Sequence, residues 1–200
     1  MNTDEHQLLT ESRRLLEAET PLRRRPEIAG AKALRGFMLL SAKPVLVVFN
    51  NDESDPTEPA AGDLAEQERC LVLRGRLEQE LARLSAADVG DFMAGFGIGA
   101  SAMDLMIRRS YDVLGLACFF TVGSDEVRAW TIHRGIPAVE AAGVIHTDFQ
   151  KGFIRAEVIS YEDLMAAGST AEARRRGTFR LEGKTYEVKD GDIINFRFNV

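Results

Sequence analysis

Residues 119–135 read FFTVGSDEVRAWTIHRG, and residues 141–158 read AAGVIHTDFQKGFIRAEV. The periodicity of this stretch decides the fold of the second half of the chain. Leu114–Val122 and Val127–His133 are rich in β-branched and aromatic residues. Gly123-Ser124-Asp125-Glu126 between them is a turn signal, so the segment predicts a β-hairpin. An alanine-rich run over 137–143 predicts a short helix, and Phe153–Ile159 predicts a third strand. Tyr161–Ala167 and Thr170–Arg176 read as short helices. Thr178–Leu181 and Thr185–Val188 flank Glu182-Gly183 as a second hairpin, and Ile193–Asn199 alternates as a closing strand. Hairpin, helix, strand, short helices and closing strands make an α+β roll.

Upstream, helical spacing puts Leu8, Leu9, Ser12, Leu15 and Leu16 on one face of a helix over 3–18. Thr20-Pro21 ends it, because the residue before a proline avoids the α region. A second helix is expected from about Pro26 to Leu40. Arg23-Arg24-Arg25 between them is either a solvated corner or a contact to RNA or to a partner's acidic face. Val45–Phe49 is a continuous apolar run, the signature of a strand buried on both faces in a parallel sheet. Residues 54–66 read as a solvated acidic loop, and Cys70–Leu73 as a second buried strand. Residues 76–94 predict an amphipathic helix with Leu77, Leu81, Leu84 and Phe92 inward, and residues 100–112 another.

Composition narrows the function classes. Of 200 residues, 45% are hydrophobic, which suits a packed core and not general disorder. The formal net charge is -6. Residues 1–42 hold 7 basic and 6 acidic side chains, residues 43–112 hold 7 and 13, and residues 113–200 hold 11 and 12. No segment is strongly basic, so tight nonspecific nucleic-acid binding is not expected and DNA is not an expected partner. Cys70 and Cys118, the only cysteines, make neither a disulfide framework nor a zinc site. Cys118 lies in an apolar run and is expected to be a buried thiol. No apolar stretch approaches the roughly 20 residues of a membrane span. The polar, acidic start is unlike a signal peptide. A cytoplasmic location without a membrane partner is the simplest expectation.

The stretches quoted above are followed in order by Tyr161-Glu162-Asp163-Leu164, Gly168-Ser169, Glu182-Gly183-Lys184, Asp190-Gly191-Asp192 and Phe196-Arg197-Phe198-Asn199-Val200. Together they resemble the carboxy-terminal half of the YchF family, the Obg-like translation-associated ATPases. The resemblance implies a ubiquitin-like β-grasp (TGS-like) domain over 113–200. It implies a partial P-loop-type nucleotide-binding domain over 43–112, and the end of a coiled-coil insertion over 1–42. The start of the chain then falls in the middle of the family's architecture, and the phosphate-binding residues are expected outside it.

The resemblance also implies base-recognition positions. Asn50-x-x-Glu53 follows a strand where P-loop GTPases carry NKxD and where this family carries NxxE, with a preference for ATP. Glu78 matches the Glu of the family's S-A-x-x-E loop, but Arg74-Gly75 stands in place of Ser-Ala. That departure counts against retained nucleotide binding.

Two glycine patterns carry no phosphate site. Gly177 and Gly183, before Lys184-Thr185, have five residues between them instead of the four of a P-loop, and they sit in a hairpin pattern without a following helix. Gly95-x-Gly97-x-x-Ala100 follows a helix instead of a strand, so it reads as a connection. Phosphoryl transfer depends on positioning and charge stabilisation by such parts. No catalytic residue, metal ligand or cofactor is therefore expected in this chain. ATP and magnesium enter only with a P-loop half, itself a candidate partner.

The expected function is a translation-associated binding or regulatory module that acts through the TGS-like domain on the ribosome or RNA. The alternative is ATP or GTP binding and hydrolysis, completed by a P-loop half. Arg128, Arg134, His146 and Lys151 are the candidate ribosome or RNA contacts. For His146 the other reading is a capped turn. Trp130 is either a stacking platform for bases or a half-buried core aromatic.

Overall fold

The structure is a computed structural model that describes residues 3–57, 68–123 and 125–199. The acidic loop expected over 54–66 lies outside the described residues from residue 58 onward, as do Ser124 of the hairpin turn and Val200. The chain divides into two compact units, Met1–Val113 and Leu114–Val200.

In the first unit, helix α1 (Thr3–Glu17) buries Ser12 and Leu15 but leaves Leu16 45% exposed. Leu15 packs with Leu22, Ile28 and Leu34 in a small apolar core. The single helix expected over 26–40 is broken. Only α2 (Pro26–Ala29) is α-helical, and 3₁₀ turns follow over Lys32–Phe37 and Leu40–Ala42. Gly30 and Gly36 weaken helical continuity, and Met38 adopts a left-handed φ of 51°.

Strands β1 (Leu46–Asn50) and β2 (Arg69–Leu73) are parallel, with Val47 opposite Cys70 and Asn50 opposite Leu73. Burial on both faces is not reached, because Val48 is 37% exposed on a pair of only two strands among the described residues. The helix expected over 76–94 is two, α3 (Gly75–Leu81) and α4 (Val89–Gly95). Ser85 makes the break. Its hydroxyl bonds the Asp88 carboxylate at 2.6 Å, while its carbonyl accepts the N–H groups of Asp88 and Val89. A serine side chain offers the backbone such an alternative to the helix. Gly97 (φ +61°) lies in the connection to α5 (Ala102–Leu114).

The second unit contains β3 (Leu116–Val122), β4 (Val127–His133), α6 (Ala138–Ile145), α7 (Thr147–Lys151) and β5 (Phe153–Ser160). It continues through α8 (Tyr161–Ala167), α9 (Thr170–Arg175), β6 (Arg180–Glu182) and β7 (Asp192–Phe198). The five strands form one sheet in the order β4-β3-β7-β5-β6. The hairpin sets Phe119 opposite Trp130, and β7 returns parallel to β3 with Ile193 beside Phe120. β5 then pairs antiparallel to both β7 and β6. First and last strands parallel and adjacent at the centre, with a helix laid across one face, is the β-grasp arrangement within an α+β fold.

That inner face carries the core. Ala117, Phe119, Ile132, Ala156, Val158, Ile194 and Phe196 pack with Ala138, Ala141 and Ala142 of α6. Small residues on the helix let it approach the sheet. Phe119 is fully buried, a burial that contributes roughly 2–3 kcal/mol. Strict alternation explains why Cys118 is part-exposed and not buried as expected. If Phe119 points inward, its neighbours must point to the open face.

The second expected hairpin does not form. Arg180–Glu182 pairs with β5, and residues 184–188 serve the start of α6 instead. The carbonyls of Tyr186 and Lys184 accept the N–H groups of Ala138 and Val139 at 2.7 and 3.3 Å. Those are donors that a helix start cannot satisfy internally.

Candidate functional site

The parallel pairing of β1 and β2 puts the loops after the two strands side by side in the first unit. Asn50 ends β1, and its Oδ1 accepts the N–H of Gly75 at 3.0 Å. A Cβ on residue 75 would lie 2.9 Å from that oxygen, so glycine is what admits the close approach. The two loops that the Asn-x-x-Glu pattern and Glu78 marked are thus tied directly by the asparagine.

The carboxylate of Glu53 is held by Arg76 Nε at 2.8 Å. Arg76 is 77% exposed, so the pair contributes about 0–1 kcal/mol. Arg74 occupies the position of the missing small residue and spans the site. Its guanidinium donates to the carbonyl of Glu53 at 3.3 Å and to that of Phe96 at 2.9 Å. The backbone N–H of Ser54, followed by its hydroxyl, holds the carboxyl of Asp52 below the usual range. Beside these loops lies a cleft of about 360 Å³ lined by Leu73, Arg74, Glu78, Ile98 and Leu105, among others. The arrangement offers one committed amide, one carboxylate already paired and a largely apolar wall. No group of three or more metal-binding side chains exists among the described residues.

In the second unit, the four candidate contacts fall on two stretches, Arg128 and Arg134 in and just past β4, and His146 and Lys151 at the two ends of α7. The Arg128 guanidinium lies 4.0 Å above the Trp130 ring, and Trp130 itself is half-buried with its indole N–H on Thr121 at 2.9 Å. Arg134 Nε donates to the carbonyl of Leu116 at 2.9 Å. Along an extended strand, Arg128 and Arg134 are about 20 Å apart. His146 caps α7, its Nδ1 accepting the N–H of Asp148 at 3.2 Å. Lys151 is exposed in the last turn of the same helix.

Sequence reasoning missed two clusters in this unit. On the open face, Glu157 is 5% exposed and accepts from Arg197 at 3.0 and 3.3 Å and from Arg174 at 3.3 Å. Arg197 and then Arg174 hold its carboxyl below the usual range despite burial. On the inner side, the buried Asp192 accepts from the Tyr186 hydroxyl at 2.8 Å and from the Lys189 N–H at 2.9 Å. The signal available in the sequence was an isolated acid, Glu157, inside an apolar strand.

The family model of the YchF carboxy-terminal domain, described as "Protein of unknown function (DUF933)", matches residues 116–199. The "Ribosome-binding ATPase YchF" of Bacillus subtilis (strain 168) is 42% identical over 98% of this chain and 56% of its own length. The protein of the same name from Haemophilus ducreyi is 43% identical over 84% of this chain and 48% of its own. A solved structure, that of the Schizosaccharomyces pombe YchF GTPase, superposes with a TM-score of 0.79 at 27% identity, over 97% of this chain and 54% of that one. The chain spans about half the length of the curated relatives it matches. It belongs to the YchF family and corresponds to the carboxy-terminal part of its members.

Proposed function

We propose that this chain is a ribosome-associated binding or regulatory module, acting in the cytoplasm through the TGS-like domain of residues 114–200. The observation that carries the reading is the condition of the two units. The second has a five-stranded β-grasp sheet with a sealed core and exposed cations, which needs no nucleotide to present a surface. In the first, the expected base-recognition carboxylate of Glu53 is already engaged by Arg76. Curated relatives named ribosome-binding supply the partner class. Arg128, Arg134, His146 and Lys151 are the first positions to substitute.

Co-sedimentation of the chain with purified ribosomes at two salt concentrations tests this. The chain should pellet with ribosomes and release as salt rises, because phosphate contacts displace counterions. Failure to pellet at low salt, or loss of pelleting in Asn50→Ala/Glu53→Ala alone, would place the activity elsewhere.

A second reading is favoured by one contact, the bond from Gly75 to Asn50 that keeps the two base-recognition loops in register. In that reading the chain completes an ATP-binding hydrolase together with a P-loop half, which supplies the magnesium and phosphate contacts. Its test is ATP binding by the chain mixed with such a half, abolished by Asn50→Ala/Glu53→Ala.

A further inference from the structure

Arg155 and Arg197 stand directly opposite one another in the antiparallel β5–β7 pair. Like charges at directly opposed positions weaken a sheet, so this placement has a cost that folding alone does not explain. Alternation puts both on the open face, with Glu157 opposite Asn195 two positions along. Arg174 of α9 reaches the same carboxylate. Two guanidinium groups therefore share one buried acid, and that of Arg155 stands beside them, opposite Arg197.

Their states differ in a useful way. Glu157 is buried, whereas the side chains of Arg174 and Arg197 are 55% and 53% exposed. Arg155 is exposed, and no ion pair joins it to another described residue. Glu157 also accepts from the Asn195 amide at 3.5 Å. The carboxylate thus anchors two arginines from below, and the Phe179 ring lies 4.4 Å from the Arg174 guanidinium. Each guanidinium has five N–H donors. Only two of Arg197's and one of Arg174's are spent on Glu157, so most face water. Oriented guanidiniums with spare donors match phosphate oxygens in fork geometry.

We propose that Arg155, Arg174 and Arg197 form a surface that binds successive phosphates of an RNA backbone, with Glu157 as the positioning residue for two of them. This rests on the reading that the chain associates with ribosomes, and it assigns that association to one face of the sheet. A surface of this kind reads charge spacing and carries no base contacts.

Arg155 is the position to substitute, because removing Arg174 or Arg197 leaves a buried acid short of partners. The probe is a fluorescein-labelled single-stranded RNA oligonucleotide, with binding to the full chain followed by anisotropy across a salt series. Arg155→Gln should weaken binding about three- to tenfold at low salt and reduce the log–log salt slope by about 0.7. Arg155→Lys should recover the slope. The urea midpoint of Arg155→Gln should stay level or rise, since the variant relieves an opposed like-charge pair. If the chain binds RNA and Arg155→Gln matches it in affinity and slope, this surface is not the site, and the domain-level reading stands. If the chain binds neither RNA nor ribosomes, both fail. If polyglutamate displaces the RNA and its own binding depends equally on Arg155, the face docks acidic proteins and the RNA assignment is overturned.

Discussion

The hydroxyl of Tyr186 donates to Oδ2 of Asp192 at 2.8 Å, and Asp192 is only 2% exposed. Arg180 approaches both groups, at 3.1 Å from the hydroxyl and 3.6 Å from the carboxylate. Tyr186 belongs to the segment that accepts the first N–H groups of α6, and Asp192 opens the central strand β7. The pair therefore joins the helix start to the middle of the sheet.

Burial, followed by the hydrogen bond to Asp192, pushes the Tyr186 phenol up to about 12. The folded value lies above the unfolded value of about 10. Stability from this group is then fully present below pH 10 and is lost as pH rises toward 12. Thermal unfolding recorded from pH 9 to 12 should show a steeper loss for the native chain than for Tyr186→Phe. At neutral pH, Tyr186→Phe should cost about 1 kcal/mol, since Asp192 keeps its bond from Lys189.

Glu157 has the opposite sign. Its carboxyl is held below the usual range by Arg197 and Arg174. Its contribution is present above the unfolded value of about 4.3 and is lost as pH falls through the lower folded value. Glu157→Ala should cost about 2 kcal/mol at pH 7 by urea denaturation. The difference from the native chain should shrink at pH 3, and an equal difference at both values would remove the ion-pair explanation.

Gly152 meets the end of β7. A Cβ at this position would collide with the backbone carbonyl of Asn199, whose N–H donates to Gly152 O at 2.9 Å. Neither backbone can give way without breaking that bond. Gly152→Ala should therefore destabilise the chain by about 2 kcal/mol or more, read as a lowered unfolding midpoint. An unchanged midpoint would mean that β5 and β7 are not joined here as described.

Asn50→Ala removes the acceptor of the Gly75 N–H. The contact is exposed, so stability should fall by only about 0.5–1 kcal/mol. Amide exchange at Gly75 should accelerate several-fold, while exchange at Phe119 and Ile194 in the other unit should not change.

A fragment of residues 114–200 should unfold cooperatively and keep its core amides protected, since its sheet and core are self-contained. Residues 43–113 alone should not, because two strands with an uncovered face are marginal. Circular dichroism and amide exchange on both fragments decide the point, and the reverse pattern would undo this division.

Elements with clear local periods were readable from the chain alone. Alternation around Phe119 and Trp130 set the hairpin, and Gly183 and Gly191 lie near the turns around β6 and β7. Asn50 and Glu53 were singled out through the family resemblance, on a short pattern after an apolar strand. Breaks in helices were not, because Ser85 stops a helix through bonds its own side chain and carbonyl make to Asp88 and Val89. Which distant residues meet depends on the packed fold. Thr185–Val188 read as a strand, but the carbonyl of Tyr186, with that of Lys184 before it, serves the start of α6 instead. Arg155, Arg174 and Arg197 look like ordinary surface charges in the chain. Arg174 and Arg197 meet on Glu157, and Arg155 faces Arg197, because β7 lies between β3 and β5, and strand order is set by how the whole core closes, not by any local period.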